Sequence, residues 1–354
     1  MRHAAEEANV GAYLLTRVED VGYMTGFTGD DSFALLGRDW AVLITDGRYG
    51  EQAADECRGM DVHVRTAAMS AAISDVLRGR RVRRLGVQGD HVTIGFQAGL
   101  AKALGRTRIV SLSDVPGALR AVKDAEEIRA IRRAVRAAET AMLGLLAGGA
   151  KGMVGRSEGE VAAELDYRMR LCGASANSFE TIVAAGANAS RPHYRPSGQR
   201  IGRDQAVLID WGAMVGGYCS DLTRVVFTGR IPPKIGEIYE VVLRAQAAGI
   251  AAVRSGAACK TVDAAARDVI AAAGYGERFV HGLGHGIGRM IHEGPRLGRP
   301  VSDRLRKGMV VTVEPGIYLP GVGGVRIEDD VLVTSQGRQR LSSLPSRLAE
   351  MVLR

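Results

Sequence analysis

Aromatic residues are scarce in this chain of 354 residues. Phe, Trp and Tyr together make up 5% of it, so there is little for nucleobases to stack on. That matters because the formal net charge is +8, a balance that in an aromatic-rich chain would point to a nucleic-acid partner. Lysine is also rare. Six of the 47 basic residues are lysines, so the charge reflects an arginine-biased composition, and its densest run is RGRRVRR at 78–84. No nucleic-acid partner is expected. No apolar stretch reaches the ~18 residues of a membrane span, and none is expected to enter a bilayer. The first fifteen residues carry two glutamates where a signal peptide needs an apolar run. Cysteine is limited to positions 57, 172, 219 and 259, far apart and without a CxxC pair. That spacing excludes a disulfide framework and a zinc knuckle, and it points to reduced thiols in a cytoplasmic protein. A dinucleotide fingerprint and a P-loop are both missing.

The length itself predicts two domains. From residue 10 to 112, short apolar strands alternate with helical stretches. Strands are expected at 10–16, in the hairpin FALLG and WAVLITDGRY, and at 61–65, 84–87 and 108–112. Helices are expected at 51–58, 69–77 and 96–104, while 21–32 reads as a turn-rich loop. This is an α/β pattern with a boundary near Ala121. The expected domains are therefore 1–121 and 122–354.

The second region repeats an order of elements. A helix begins at Asp124 with a capping box to Glu127 and keeps helical spacing through Ile128, Ile131, Val135, Ala138 and Met142. A second helix starts at Ser157 with Glu160 and stops at Gly173. An extended stretch and two apolar strands, QAVLIDWGA and DLTRVVFTG, follow. Then helices at 235–253 and 261–273, another extended stretch, and MVVTVEPGIYL with GVRIEDDVLVT repeat the series. Two half-units related by a pseudo-twofold are expected.

The second extended stretch, FVHGLGHGIGRMIHEGP, holds His281, His285 and His292 among closely spaced glycines. Glycine at every second position opposes a helix and favours extended backbone in close approach to a neighbour. Carboxylates lie inside the apolar strand runs: Asp210 and Asp221 in one half, Glu314 and Glu328 in the other. Buried charges of this kind are costly unless paired or bound to metal. If Gly216 and Gly217 form a two-residue hairpin turn, residue 210 pairs with 223 and 212 with 221. Asp210 and Asp221 then share a face, with backbones about 7–8 Å apart. Such a separation suits two ions about 3.5–4 Å apart.

These motifs, with FTGDDSFALL and LITDGRY near the N-terminus, resemble the creatinase/methionine aminopeptidase superfamily of metallopeptidases, and within it the Xaa-Pro aminopeptidase and prolidase branch. The resemblance covers nearly the whole chain. It implies an α+β fold: a pita-bread catalytic domain with pseudo-twofold halves, preceded by a smaller α/β creatinase-type domain. It implies two divalent ions, manganese with cobalt or zinc as alternatives, held by Asp210, Asp221, His285, Glu314 and Glu328. Asp221 and Glu328 would bridge the pair, Asp210 would complete one shell, and His285 with Glu314 the other. His193, His281 and His292 match the family's substrate-side histidines, and Arg326 its arginine beside the bridging glutamate. Asp30-Asp31 and RMIHE depart from the usual wording of two motifs without touching a ligand position.

The chemistry agrees with that resemblance. Four carboxylates and one imidazole suit hard or borderline cations, and paired ions lower the pKa of a shared water. Glu314 would move a proton to the leaving nitrogen, and His281 or His292 would steady the oxyanion. The expected activity is that of an Xaa-Pro aminopeptidase, on peptides with proline second, with Xaa-Pro dipeptidase as the alternative. A first domain of this length could wall off one end of a cleft. A homodimer is implied. An inactive relative serving as a binding module would have lost a member of the ligand set, and all five are present.

Overall fold

The computed structural model describes all 354 residues apart from the side chain of Arg2. The chain divides into two compact units, Met1–Arg120 and Ala121–Arg354.

In chain order, the first unit comprises α1 (Arg2–Glu7), β1 (Ala12–Leu15), α2 (Val18–Thr25), β2 (Phe33–Gly37), β3 (Ala41–Asp46) and α3 (Gly50–Glu56). Then come β4 (Asp61–Arg65), α4 (Met69–Leu77), β5 (Arg84–Gln88), α5 (Ile94–Leu104), β6 (Arg108–Leu112) and α6 (Val115–Arg120). The strands form one sheet in the order β4-β3-β2-β1-β5-β6. The sheet is mixed: β2 runs antiparallel to β1 and β3, while β1–β5, β5–β6 and β3–β4 are parallel. Both faces of the central strands are buried. Ala12 and Leu14 join Ile73 and Leu100 on one side, and Tyr13 and Leu15 join Val21 and Ala53 on the other. The period-2 alternation of a strand therefore feeds two cores.

One expectation is corrected here. Part of the stretch 21–32, expected as a loop, is helical, because α2 runs over Val18–Thr25. Glu19 and Asp20 sit in its first turn, where the helix dipole favours acids, and Gly26 ends it at φ 78°. Val21 anchors it in the core. The glycines that suggested a loop supply a helix interior and a stop.

The second unit opens with α7 (Ala125–Leu146) and α8 (Glu158–Leu171). Both capping boxes are present, at Asp124 with Glu127 and at Ser157 with Glu160. Asp124 Oδ1 accepts from the backbone N–H groups of Glu126 and Glu127 at 2.8 and 2.9 Å. Replacing this acceptor (Asp124→Ala) should lower the unit's unfolding free energy by about 1 kcal/mol, read from urea melts. The buried stripe Ile131, Ala134, Val135, Ala138, Met142 and Leu145 faces the strands of the first half. Trp211, fully buried, ties the two layers by donating Nε1–H to Ala138 O at 3.0 Å.

Next are β7 (Ala176–Asn177), β8 (Ile182–Ala185), β9 (Ala206–Trp211), β10 (Ala213–Val215), β11 (Tyr218–Cys219) and β12 (Leu222–Phe227). The helices α9 (Pro233–Ala252) and α10 (Cys259–Ala272) follow. The second half continues with β13 (Gly284–Gly286), β14 (Glu293–Leu297), β15 (Val310–Val313), β16 (Gly316–Leu319), β17 (Gly323–Arg326), β18 (Asp329–Thr334) and β19 (Gly337–Arg340). The echo of helix, helix, extended stretch and strand pair is thus realised.

The four long apolar runs are not four unbroken strands. Each breaks beside a carboxylate: β9 from β10 just after Asp210, β11 from β12 at Asp221, β15 from β16 at Glu314, and β17 from β18 at Glu328. The register survives each break. In the first half Thr223 lies opposite Asp210 and Val215 opposite Tyr218, around Gly216 and Gly217 at φ 60° and 75°. Two positive φ values are what a two-residue type I′ turn requires. In the second half Val313 lies opposite Asp329 and Gly316 opposite Arg326. The same register sets Glu314 across from Glu328. At the first-half break, a Cβ on Gly212 would stand 2.0 Å from Ser220 O, so the close approach there has room only for glycine. A bridge between Thr223 and Glu328 then joins the two hairpins at their breaks.

Candidate metal centre and active site

All nine residues singled out from sequence line one cavity of about 910 Å³ within the second unit. They are His193, Asp210, Asp221, His281, His285, His292, Glu314, Arg326 and Glu328. At its floor, one ligand-type atom from each of Asp221, His285 and Glu328 lies within 4.8 Å of the other two. His285 Nε2 is 3.6 Å from Asp221 Oδ2 and 3.4 Å from Glu314 Oε1.

The backbone sets these side chains. His285 lies on β13, whose N–H donates to Thr312 Oγ1 at 3.1 Å. That hydroxyl donates in turn to Glu314 Oε1 at 3.2 Å. His285 Nδ1 donates to Gly286 O at 3.1 Å, which leaves the Nε2 lone pair facing the carboxylates. Asp221 is fixed by its own N–H, given to Asp330 Oδ2 at 3.1 Å.

Arg326 links the remaining groups. Its direct carboxylate partner is Asp210: Nη2 meets Asp210 Oδ2 at 2.5 Å. Glu328 is reached through Thr223, whose Oγ1 accepts from Arg326 Nε at 3.1 Å and donates to Glu328 Oε2 at 2.6 Å. Arg326 Nη1 donates to Tyr318 OH at 2.8 Å, and that hydroxyl donates to His281 Nε2 at 2.9 Å. His281 Nδ1 is spent on Gly282 O at 2.8 Å. Both nitrogens of His281 are therefore engaged inside the protein. His292 is exposed, with its ring edge-to-face on His285 at 4.4 Å between centroids. His193 is exposed on the cavity wall.

Sequence reasoning missed Tyr318 and Thr223. The signal for Thr223 was present, since the Gly216-Gly217 turn sets it opposite Asp210. Tyr318 follows Glu314 by four residues in EPGIY, but its contact to His281 depends on pairing between distant strands.

The electrostatics call for cations. Burial, reinforced by Glu328 and Asp210, holds the Asp221 carboxyl well above the usual carboxylate range. Burial with Glu314 and Asp210 does the same to Glu328. Glu314 is pushed up to about 8 by burial, against the pull of Arg326. Burial brings His285 down to about 4, with His292 adding to it, and His281 to about 4, with Arg326 adding. Crowded buried carboxylates beside neutral imidazoles form an unfavourable site until positive charge enters it. Asp210, which lines the same cavity, has its Oδ1 buried without a hydrogen-bond partner. An oxygen-rich donor set with one imidazole fits divalent cations.

A bent double hairpin with carboxylates at its breaks, facing a histidine strand, defines a hydrolase of the metallopeptidase class with the pita-bread fold. The model of metallopeptidase family M24 matches residues 129–335, and that of the creatinase/prolidase N-terminal domain matches 1–122. The chain belongs to family M24 and is a peptidase. It is 39% identical over 267 residues to an Xaa-Pro dipeptidase of Pyrococcus horikoshii, covering 75% of each chain. Its structure is similar to an Xaa-Pro dipeptidase from Bacillus anthracis, with TM-score 0.95, 37% identity and coverage of 99% and 98%. It is also similar to an X-Pro aminopeptidase from Thermotoga maritima, with TM-score 0.89, 34% identity and coverage of 97% and 99%. No helix among the described residues is long and apolar enough to cross a membrane.

Proposed function

We propose that this chain is an Xaa-Pro dipeptidase. The observation that carries this reading is Arg296. It lies opposite His285 in the β13–β14 ladder, lines the cavity and is exposed. It forms no ion pair with a carboxylate among the described residues. A guanidinium so placed is suited to hold the free carboxylate of a C-terminal proline, by the paired hydrogen bonds that arginine makes. Dipeptidases among the relatives support the same choice over the aminopeptidase expected first.

In this reading Asp221 and Glu328 would each hold both of two divalent ions, Asp210 one, and His285 with Glu314 the other. Manganese is the metal proposed, with cobalt and zinc as alternatives. When bound, such a pair lowers the pKa of water towards neutrality and polarises a carbonyl. The chain's own groups do the rest. Glu314 Oε2, the oxygen not engaged by Thr312, takes the proton of the attacking water and passes it to the leaving nitrogen. His292 donates to the carbonyl oxygen as charge builds there. Arg326 keeps Asp210 and, through Thr223, Glu328 in place. A proline nitrogen in a peptide bond has no N–H, so recognition falls to ring shape. Phe179 and Ile291 supply apolar cavity wall for it. A homodimer follows the family resemblance, and a cytoplasmic setting is supported by four free thiols.

The test compares Xaa-Pro dipeptides, Xaa-Pro-Yaa tripeptides and Xaa-Ala dipeptides on metal-loaded enzyme. Dipeptides with proline should be turned over fastest, and Arg296→Met should raise KM for them on the order of tenfold. Faster cleavage of tripeptides, with Arg296→Met neutral, would move the assignment to aminopeptidase. Equal rates with alanine in place of proline would sink the proline requirement.

A further inference from the structure

We propose that Glu158 is a positioning residue that sets His193 on the cavity wall. The inference rests on the preceding reading of this cavity as the peptide site, whose wall His193 lines. Glu158 is the first residue of α8, fully buried, and none of its side-chain hydrogen bonds goes to the metal cluster. Its carboxylate instead collects five donors from one segment. Oε1 accepts from Ala185 N at 2.8 Å and from Asn188 Nδ2 at 2.9 Å. Oε2 accepts from Tyr194 OH at 2.8 Å, Ser197 Oγ at 2.8 Å and Ser197 N at 3.2 Å.

These donors bracket residues 186–197, the segment that presents His193. Tyr194 is buried while His193 and Arg195 on either side are exposed, so the Tyr194 side chain is the root that turns His193 outward. The helix N-terminus adds to the hold. Glu158 N donates to Gln199 O and Gly159 N to Ser197 O, each at 3.0 Å. The α8 dipole favours a carboxylate at this position. On the far side of the segment, Pro192 O accepts from Arg326 Nη1 at 3.4 Å. The stretch beside His193 is thus clamped between a buried acid and the arginine that holds Asp210. Residues 191–199 have no strand or helix to fix them.

A glutamine at 158 can keep most of the clamp. Its oxygen can face Ala185 and Asn188, and its amide can give to Tyr194 and Ser197 hydroxyls, which accept as readily as they donate. Alanine removes all five side-chain bonds and keeps only the two backbone bonds from the start of α8.

The experiment uses Glu158→Ala, Glu158→Gln, His193→Ala and the double variant Glu158→Ala/His193→Ala in the full chain. Hydrogen exchange should speed up in 186–197 for E158A, with α9 and α10 unchanged, and stay near wild type for E158Q. On a peptide that the wild type cleaves, E158A should lower kcat/KM on the order of 10- to 100-fold, as small misplacements near a reacting centre do. Adding E158A to H193A should cost little more, because both changes remove one interaction. Additive losses would assign Glu158 a purely structural role and overturn the proposal. Unchanged exchange in 186–197 would overturn it as well. If E158A does not fold, Tyr194→Phe with Ser197→Ala strips two hydroxyl donors and leaves the acid in place for the same cycle. Failure of the wild type on every Xaa-Pro peptide would instead refute the substrate reading, while the exchange result and a cycle on any other cleaved peptide still decide the role of Glu158.

Discussion

Replacing His285 with alanine should lower turnover by at least about 100-fold, since even the outer partners of a metal ligand are worth about 10–100-fold. His285 contributes the only imidazole to the proposed ligand set. Its Nδ1–H is committed to Gly286 O, so Nε2 faces Asp221 Oδ2 and Glu314 Oε1 at 3.6 and 3.4 Å as a lone pair. Alanine leaves the four carboxylates with no nitrogen donor and weakens the shell shared with Glu314. The fold should survive. The residue belongs to a strand held on both sides by backbone pairing, with β14 on one side and β15 on the other. The side chain, 13% exposed, lines the cavity, so its loss widens an existing opening. The checks are kcat of the metal-loaded variant, its metal content by elemental analysis, and its circular dichroism. A variant with wild-type metal content and wild-type turnover would remove His285 from the ligand set. An unfolded variant would contradict the packing argument instead.

Much of this centre can be read from local sequence because local rules govern its parts. Gly216-Gly217 permits one tight turn, and that turn alone sets the register that pairs Asp210 with Thr223. Asp124 and Ser157 announce their helices through capping boxes that need only residues three apart. The alternating glycines around His285 predict close backbone approach. The structure supplies the reason: a Cβ on Gly284 would stand 2.1 Å from Thr312 O, and one on Gly286 2.2 Å from Gly294 O.

What escaped local reading depends on contacts between distant segments. The apolar runs read as straight strands, since periodicity does not register a bend. Their breaks at Asp221, Glu314 and Glu328 come from two hairpins meeting through the Thr223–Glu328 bridge. The resemblance sets Arg326 beside Glu328, which it reaches through Thr223. Its direct bond to Asp210, 116 positions away, has no local signal. The relay through Tyr318 to His281 spans 37 positions and has no sequence signature. The helix α2 shows the converse case, in which burial of Val21 against the sheet outweighs a turn-rich composition.

Stripping the metal should abolish activity and make the second unit's stability fall as pH rises, whereas the loaded protein should not show that fall. The sign follows from the carboxyl groups. Glu314 has its pKa pushed up to about 8 in the folded chain, against an ordinary value of 4.5. Asp221 and Glu328 are shifted in the same direction, first by burial, then Asp221 by Glu328 and Glu328 by Glu314. A group whose folded pKa is raised favours the folded state most when it is protonated. Its contribution is complete below the unfolded pKa and is lost as pH climbs through the folded one. For Glu314 the window runs from 4.5 to about 8. Between pH 5 and 6.5 the depressed His281 and His285 oppose this slope, so chelated protein should melt at progressively lower temperature from pH 6.5 to pH 8.5. With divalent ions present the carboxylates are ionised and paired, so this slope should vanish. The loaded form should gain about 2.7 kcal/mol when free metal stands at 100 times its Kd. Calorimetric melts of chelated and manganese-loaded samples at several pH values, with activity restored by manganese or cobalt, provide the check. Parallel pH profiles for the two samples would mean that the carboxylate cluster is not where the metal binds. Full activity in a sample shown to be metal-free would overturn the metal requirement itself.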